Sequence, residues 1–128
     1  PVTLTTGQSN LTVDAGIWNP VTIGNHAWVD VNGDGIQNDG AGSALGGVQV
    51  QLVNTATGTV VATTTTAADG SYLFTVPPGT YKEIWVPPAN YVPTITGQGT
   101  TATDSNVNPA TGETAPITLS GGRSDLTQ

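Results

Sequence analysis

Apolar and polar residues alternate along this chain in short runs, and glycine, proline, Asn or Asp cuts off each run. Gly47–Val53 places Val48, Val50 and Leu52 on one side and Gln49 and Gln51 on the other, the two-residue period of a half-buried strand. Ser71–Val76 repeats the pattern with Tyr72, Phe74 and Val76. Further strands are predicted over Val21–Asp30, Thr59–Thr66, Thr80–Val86 and Tyr91–Ile95, the last marked by Pro93 as an edge or a bulge. Ala68-Asp69-Gly70 reads as a hairpin turn, Gly97–Pro109 as polar and turn-rich, and Ile117–Leu119 as the start of a closing strand. About seven short strands with no long helix predict an all-β protein, a β-sandwich. One run conflicts with its own period. Strict alternation over Tyr81–Val86 buries Glu83 beside Tyr81 and Trp85, and a bulge between Tyr81 and Ile84 is the expected relief.

The two ends of the chain resemble each other. Pro, Thr, Leu, Gly, Ser, Leu and Thr recur in register between residues 1–16 and 116–128, offset by about 115 positions. Self-similarity at a fixed period marks an array, here with a period of one domain. Residues 1–16 are therefore read as a strand like the end of a preceding repeat, a junction or a donated strand, and residues 17–128 as the sandwich domain. The chain opens on Pro1 with no signal peptide in view, so it reads as a mature or excised piece.

The strongest chemical pattern follows the first strand. Asp30-Val31-Asn32-Gly33-Asp34-Gly35-Ile36-Gln37-Asn38-Asp39 places side-chain oxygens on Asp30, Asn32 and Asp34, then turns at Gly35. Those are positions 1, 3, 5 and 6 of a calcium loop; Ile36 at position 7 offers its carbonyl, and Asn38 stands at position 9. Position 12 is Ala41, where a bidentate Glu is usual. An acidic turn also accounts for Asn-Gly-Asp-Gly, since these residues favour turns for backbone reasons. Against that, Asp30, Asp34 and Asp39 repel one another without a cation, and the only Lys and Arg are Lys82 and Arg123. A hard divalent ion, calcium before magnesium, is the expectation, with affinity on the order of 0.1 to 1 mM. Asp39, water or a distant loop supplies what position 12 lacks. Asp104-Ser105-Asn106-Val107-Asn108 repeats the every-second-residue oxygen pattern, and on its own it reads equally as a polar turn.

Composition narrows the picture. Only 9% of the 128 residues are charged and the net charge is −7, which argues against nucleic acid and against anionic membrane surfaces. No apolar run reaches the roughly 18 residues of a membrane span. Cysteine is absent, so a secreted module of this size needs another staple, and a metal is one.

At this point the residues resemble a known family, the SdrD B-like repeat, a Cna B-type module of bacterial surface adhesins and large secreted proteins. The resemblance lies in Ile23–Asp30 running into Asn32-Gly33-Asp34-Gly35-Ile36-Gln37, then in Leu45–Val50, Asp69–Phe74, Pro78–Tyr81, Asp104–Gly112 and Ser124–Thr127. It implies a Greek-key sandwich with bound calcium, repeated along a stalk, and it implies that Asp104, Asn106 and Asn108 form a second ligand strand. Ala41, Gly42 and Ser43 stand where the family carries an acidic residue, and Asn106 and Asn108 where it more often has Asp. Fewer carboxylates imply weaker binding or fewer ions. Some Cna B-type domains carry a Lys–Asn isopeptide bond; the single lysine, Lys82, lies in a middle strand, so none is expected here and Lys82 reads as a solvated edge residue.

Other chemistry is thin. One His and no Cys leave His26 as the only base for a triad, and Asp30 with Asp34 are better used as ligands of one ion than as a glycosidase pair. No enzyme is expected. The leading reading is a calcium-stabilised structural repeat of an extracellular bacterial surface or secreted protein, packed against neighbouring repeats or identical subunits. Two others remain: a head-to-tail filament by strand donation, and an adhesion module for an extracellular protein or glycan, with Trp85 and Tyr91 as the exposed aromatic pair.

Overall fold

The computed structural model describes residues 1–127. Nine short strands form two sheets: β1 Val21–His26, β2 Gln49–Asn54, β3 Thr59–Thr65, β4 Ser71–Val76, β5 Gly79–Val86, β6 Val107–Asn108, β7 Glu113–Thr114, β8 Ile117–Leu119 and β9 Ser124–Asp125. The smaller sheet runs β4-β1-β9, with β9 parallel to β1. The larger runs β3-β2-β5-β7-β6, and β8 pairs with the first half of β5. The all-β two-sheet sandwich is as the period-two runs predict.

The alternating faces meet in the middle. Val21 and Ile23 from β1, Val50 and Leu52 from β2, Tyr72, Phe74 and Val76 from β4, Tyr81 from β5, and Ile117 and Leu119 from β8 form one buried cluster. Each such side chain contributes about 1.5–3 kcal/mol on burial. Gln49 on β2 and Leu73 and Thr75 on β4 face solvent.

Several local expectations are corrected. β1 stops at His26 rather than Asp30, because Ala27 turns to donate to the Gly70 carbonyl at 2.8 Å and Trp28 bridges to Ala44. Ala67–Gly70 does turn as expected, with a 2.8 Å bond from Gly70 N–H to the Ala67 carbonyl and a 2.9 Å bond from the Ala67 amide to the Ser71 carbonyl, but the strands on either side of it do not go on to pair. It carries the chain from β3 in the larger sheet to β4 in the smaller one. Tyr91–Ile95 forms no strand; Pro93 removes the amide that a ladder would use at its centre. The irregular step falls between Leu52 and Val53 of β2, while β5 keeps an unbroken register from Tyr81 to Val86.

Lys82 is not at an edge either. β5 lies between β2 and β7, and Lys82 pairs with Glu113 at 2.8 Å across the β5–β7 pairing. Residues 1–20 contain no strand and are exposed.

Candidate metal centre

Three segments converge at one end of the sandwich: the loop after β1, the loop 94–99, and residues 103–106. Asp30 organises the first. One carboxylate oxygen accepts the amides of Gly33 (2.8 Å) and Asp34 (3.2 Å), and the other accepts the Gly35 amide (2.8 Å) and the Thr94 hydroxyl (2.6 Å). Asp34 accepts the Ile36 amide at 2.9 Å through one oxygen, and the side-chain amides of Asn32 (3.0 Å) and Asn38 (2.9 Å) through the other. The Asn32 oxygen in turn accepts the Asp34 amide at 3.2 Å. Gly35 is the hinge: its φ is +73°, and a Cβ there would come within 2.7 Å of both Ile95 Cγ1 and the Ile95 carbonyl. No other residue fits that approach and that backbone conformation together.

The same loop docks on the Asp104 segment. Ile36 bridges to Asp104, and the Gln37 amide donates to the Thr103 carbonyl at 2.7 Å. Asp39 Oδ2, Asp104 Oδ1 and Asn106 Oδ1 are buried and accept no hydrogen bond. Buried carboxylate and amide oxygens without donors cost free energy unless something positive faces them. Lys82 is engaged with Glu113, and Arg123 lies in the turn before β9. Among the described residues no three His, Cys, Asp or Glu side chains are grouped so as to hold a metal ion by themselves, so any ion here would need amide and carbonyl oxygens as well. The donors here are carboxylate, amide and carbonyl oxygens, the hard set that suits calcium. The residues fit such an ion.

Not every predicted ligand is placed alike. All four lone-pair sites of Asp30 have donors, so it shapes the loop first. The Ile36 carbonyl accepts the Asn38 amide at 2.8 Å. Asn108 ends β6 instead, its side chain accepting the Ala110 amide at 2.9 Å. Ala41 begins a short 3-10 turn, Ala41–Ser43, and its methyl offers no ligand, while the Ser43 hydroxyl donates to the Gly40 carbonyl at 2.7 Å. Asp69 accepts the Ser71 amide and hydroxyl at 3.0 and 2.6 Å, as a turn residue does.

Electrostatics keep the loop anionic. Partial burial raises the Asp30 pKa, but the Thr94 hydroxyl and the amides of Gly35, Gly33 and Asp34 outweigh it, so the carboxyl sits below its ordinary value. Asp34 is lowered chiefly by the Asn38 amide and the Ile36 backbone, against the repulsion of Asp30. Thr94 was invisible to spacing arguments, since it lies 64 residues from its partner.

A second polar constellation sits in the core. Glu83 is 0% exposed, and the Tyr72 hydroxyl lies 3.0 Å from both its carboxylate oxygens. Trp85 Nε1 donates to Oε2 at 3.0 Å, and Tyr72 meets Trp85 edge-on at 5.1 Å. Burial pushes the Glu83 carboxyl up to about 7, with the nearby Asp125 charge adding to the rise and the indole and phenol donors opposing it. The alternation that flagged Glu83 was therefore right, and the expected bulge is replaced by two donors. Trp85 and Tyr91 also line a cleft of about 430 Å³ with Trp28, Pro87, Pro93 and Asp104.

The sequence pattern of the SdrD B-like domain matches residues 21–128. The chain is similar to serine-aspartate repeat-containing protein D of Staphylococcus aureus (strain Newman), at 41% identity over 110 residues, which cover 83% of this chain and 8% of that protein. It is 38% identical over 106 residues to serine-aspartate repeat-containing protein F of Staphylococcus epidermidis, covering 80% of this chain and 6% of the relative. It is 37% identical over 108 residues to the bone sialoprotein-binding protein of Staphylococcus aureus (strain MRSA252), covering 82% and 9%. This chain thus spans less than a tenth of each of these relatives. Among solved structures, the Bacillus anthracis TIE protein aligns over 86% of this chain and 16% of its own, with a TM-score of 0.48 and 17% identity. A two-sheet sandwich whose first loop carries Asp30, Asn32, Asp34 and Gly35 and docks on Asp104 belongs to the SdrD B-like domain family.

Proposed function

We propose that this domain is a calcium-stabilised structural repeat of an extracellular bacterial surface protein, serving to stiffen a tandem array. The observation that carries the reading is the trio of buried, partnerless oxygens on Asp39, Asp104 and Asn106 beside an anionic loop. A cation bound there ties the β1–β2 connection to the segment before β6, two regions that otherwise share one bridge and the amide bond from Gln37. An ion that binds only the folded state stabilises it by mass action, and millimolar extracellular calcium fills even a weak site. Relatives more than ten times longer than this chain, matched over 8% and 6% of their length, leave room for further units beside this one.

Calorimetric titration with calcium tests the reading directly. It requires a saturable heat with a dissociation constant on the order of 0.1–1 mM, weakened at least tenfold in Asp104→Ala. No heat in the unmodified chain ends the proposal.

One observation favours a second reading, an adhesion module for an extracellular protein or glycan: Trp28, Trp85 and Tyr91 share one cleft. A relative named for binding bone sialoprotein is consistent with it. Array hits lost in Tyr91→Ala would support it.

A further inference from the structure

The resemblance between the two chain ends extends into their conformation. Aligned at an offset of 115, residues 1–12 and 116–127 are identical at seven positions: Pro1, Thr3, Leu4, Gly7, Ser9, Leu11 and Thr12 match Pro116, Thr118, Leu119, Gly122, Ser124, Leu126 and Thr127. No gap is needed. Both segments make the same turn at the same place. The Gln8 amide donates to the Thr5 carbonyl at 3.0 Å, and the Arg123 amide to the Ser120 carbonyl at 3.2 Å. Gly7 and Gly122 hold the left-handed position, with φ of 83° and 78°. Both also close the same side-chain turn. Asn10 Oδ1 accepts the Thr12 amide and hydroxyl at 2.9 and 2.6 Å, and Asp125 Oδ1 accepts those of Thr127 at 3.0 and 2.8 Å.

What differs is the covering. Residues 116–125 act as a clasp across both sheets: β8 pairs with Gly79–Tyr81 of β5, and β9 with Thr22 and Ile23 of β1. Ile117 and Leu119 are each 8% exposed there, whereas their counterparts Val2 and Leu4 are 57% and 55% exposed. The first segment has the shape of the clasp and its apolar knobs, with no cleft around them.

We propose that residues 1–12 are a preformed clasp whose receptor is the β1–β5 cleft of a second copy of this domain. The cleft of this copy is filled by residues 116–125. Residues 11–20, ten in all, also fall short of the roughly dozen that a parallel return onto β1 needs. The second copy is either the preceding repeat of the same polypeptide or a separate chain; the chemistry is the same, an extended segment completing two sheets. The proposal rests on reading the chain as one unit of a series and is independent of the cation.

The test joins residues 17–115 directly to Pro1 of the full chain, so that Pro1 takes the place of Pro116. A control carries residues 116–127 in place of residues 1–12. Amide hydrogen exchange of residues 1–12 is expected to slow at least about 100-fold relative to the 128-residue chain, matching residues 116–127. Leu4→Asp is expected to unfold the upstream copy and leave the downstream one intact. Exchange as fast as in the single chain, or an upstream copy that folds in the control only, overturns the proposal.

The 128-residue chain has no cysteine, so a disulfide trap separates the two sources. An excess of Ser9→Cys to Thr22→Cys dimers over a Thr6→Cys control places the receptor in a separate chain. No excess, with residues 1–12 protected in the joined chain, places it in the same polypeptide. All measurements are run with calcium and with chelator, so that a failed cation reading registers as identical melts while the exchange data still decide the clasp.

Discussion

Two sets of carboxylates in this molecule, Asp30 with Asp34 and Glu83, form no ion pair with Lys or Arg among the described residues, and the fold treats them in opposite ways. In the loop after β1, Asp30 and Asp34 are surrounded by amide N–H groups from their own turn, with pKa values held down and the charge retained. In the core, Glu83 is enclosed by Tyr72 and Trp85, and burial pushes its carboxyl up to about 7. The loop keeps its charge because the Thr94 hydroxyl, the Asn38 and Asn32 side chains and the amides of its own turn donate to it. Burial in the core makes the Glu83 carboxyl easier to protonate, while the Trp85 and Tyr72 donors hold against that rise. The difference is one of access rather than of residue type.

The largest effect that sharpens this comparison is truncation in the core. Glu83→Ala leaves the Tyr72 hydroxyl and the Trp85 indole without an acceptor and opens a void, at a cost of about 3–5 kcal/mol by denaturant unfolding. Glu83→Gln keeps the shape and removes the charge, so it should cost far less.

The pH dependence follows next. The folded pKa of Glu83 lies above its unfolded value of 4.5, so the folded state binds more protons than the unfolded state between these values. Its contribution is therefore full below about 4.5 and is lost as pH rises through about 7. In chelator, stability should fall across that window by up to about 3 kcal/mol, and the fall should vanish in Glu83→Gln. Asp30 and Asp34 act in the opposite sense. Their folded pKa values are depressed, so their contribution is present above the unfolded value of 3.8 and is lost as pH drops through the folded one.

Calcium comes third. At ten times its dissociation constant an ion adds about 1.4 kcal/mol, or roughly 5 °C in melting temperature for a domain of this size. The smallest effect is at Lys82. Its pairing with Glu113 is one-third exposed on both sides, and Lys82→Ala should cost no more than about 0.5–1 kcal/mol, less in high salt.

Much of this was legible in the sequence because it depended on neighbours in sequence. Period two over Val48–Leu52 and Tyr72–Val76 placed the core, and the spacing of Asp30, Asn32, Asp34 and Gly35 placed a loop that the structure builds around Asp30. The errors arose where distant contacts decide. Ala68-Asp69-Gly70 has hairpin chemistry, yet which sheet takes β4 is set by its pairing with β1. Tyr91–Ile95 has the β-branched and aromatic composition of a strand, but with Pro93 in its middle it covers the Asp30–Asp39 loop through Thr94 and Ile95 instead. Glu83 was flagged as a conflict and resolved wrongly, because Tyr72 and Trp85 can satisfy it only once two sheets face each other. The docking of the first loop on the Asp104 segment is of the same kind: alternation marked oxygens in both, and only the bridge from Ile36 to Asp104 and the bond from the Gln37 amide to the Thr103 carbonyl bring the segments together.

The unpartnered oxygens of Asp39, Asp104 and Asn106 decide the function by whether they hold a cation. Thermal melts of the unmodified chain and of an Asp39→Ala/Asp104→Ala double variant, each in millimolar calcium and in chelator, test this most directly. The account predicts a calcium-dependent rise of several degrees in the first and none in the second; superimposable melts of the unmodified chain with and without calcium would contradict it.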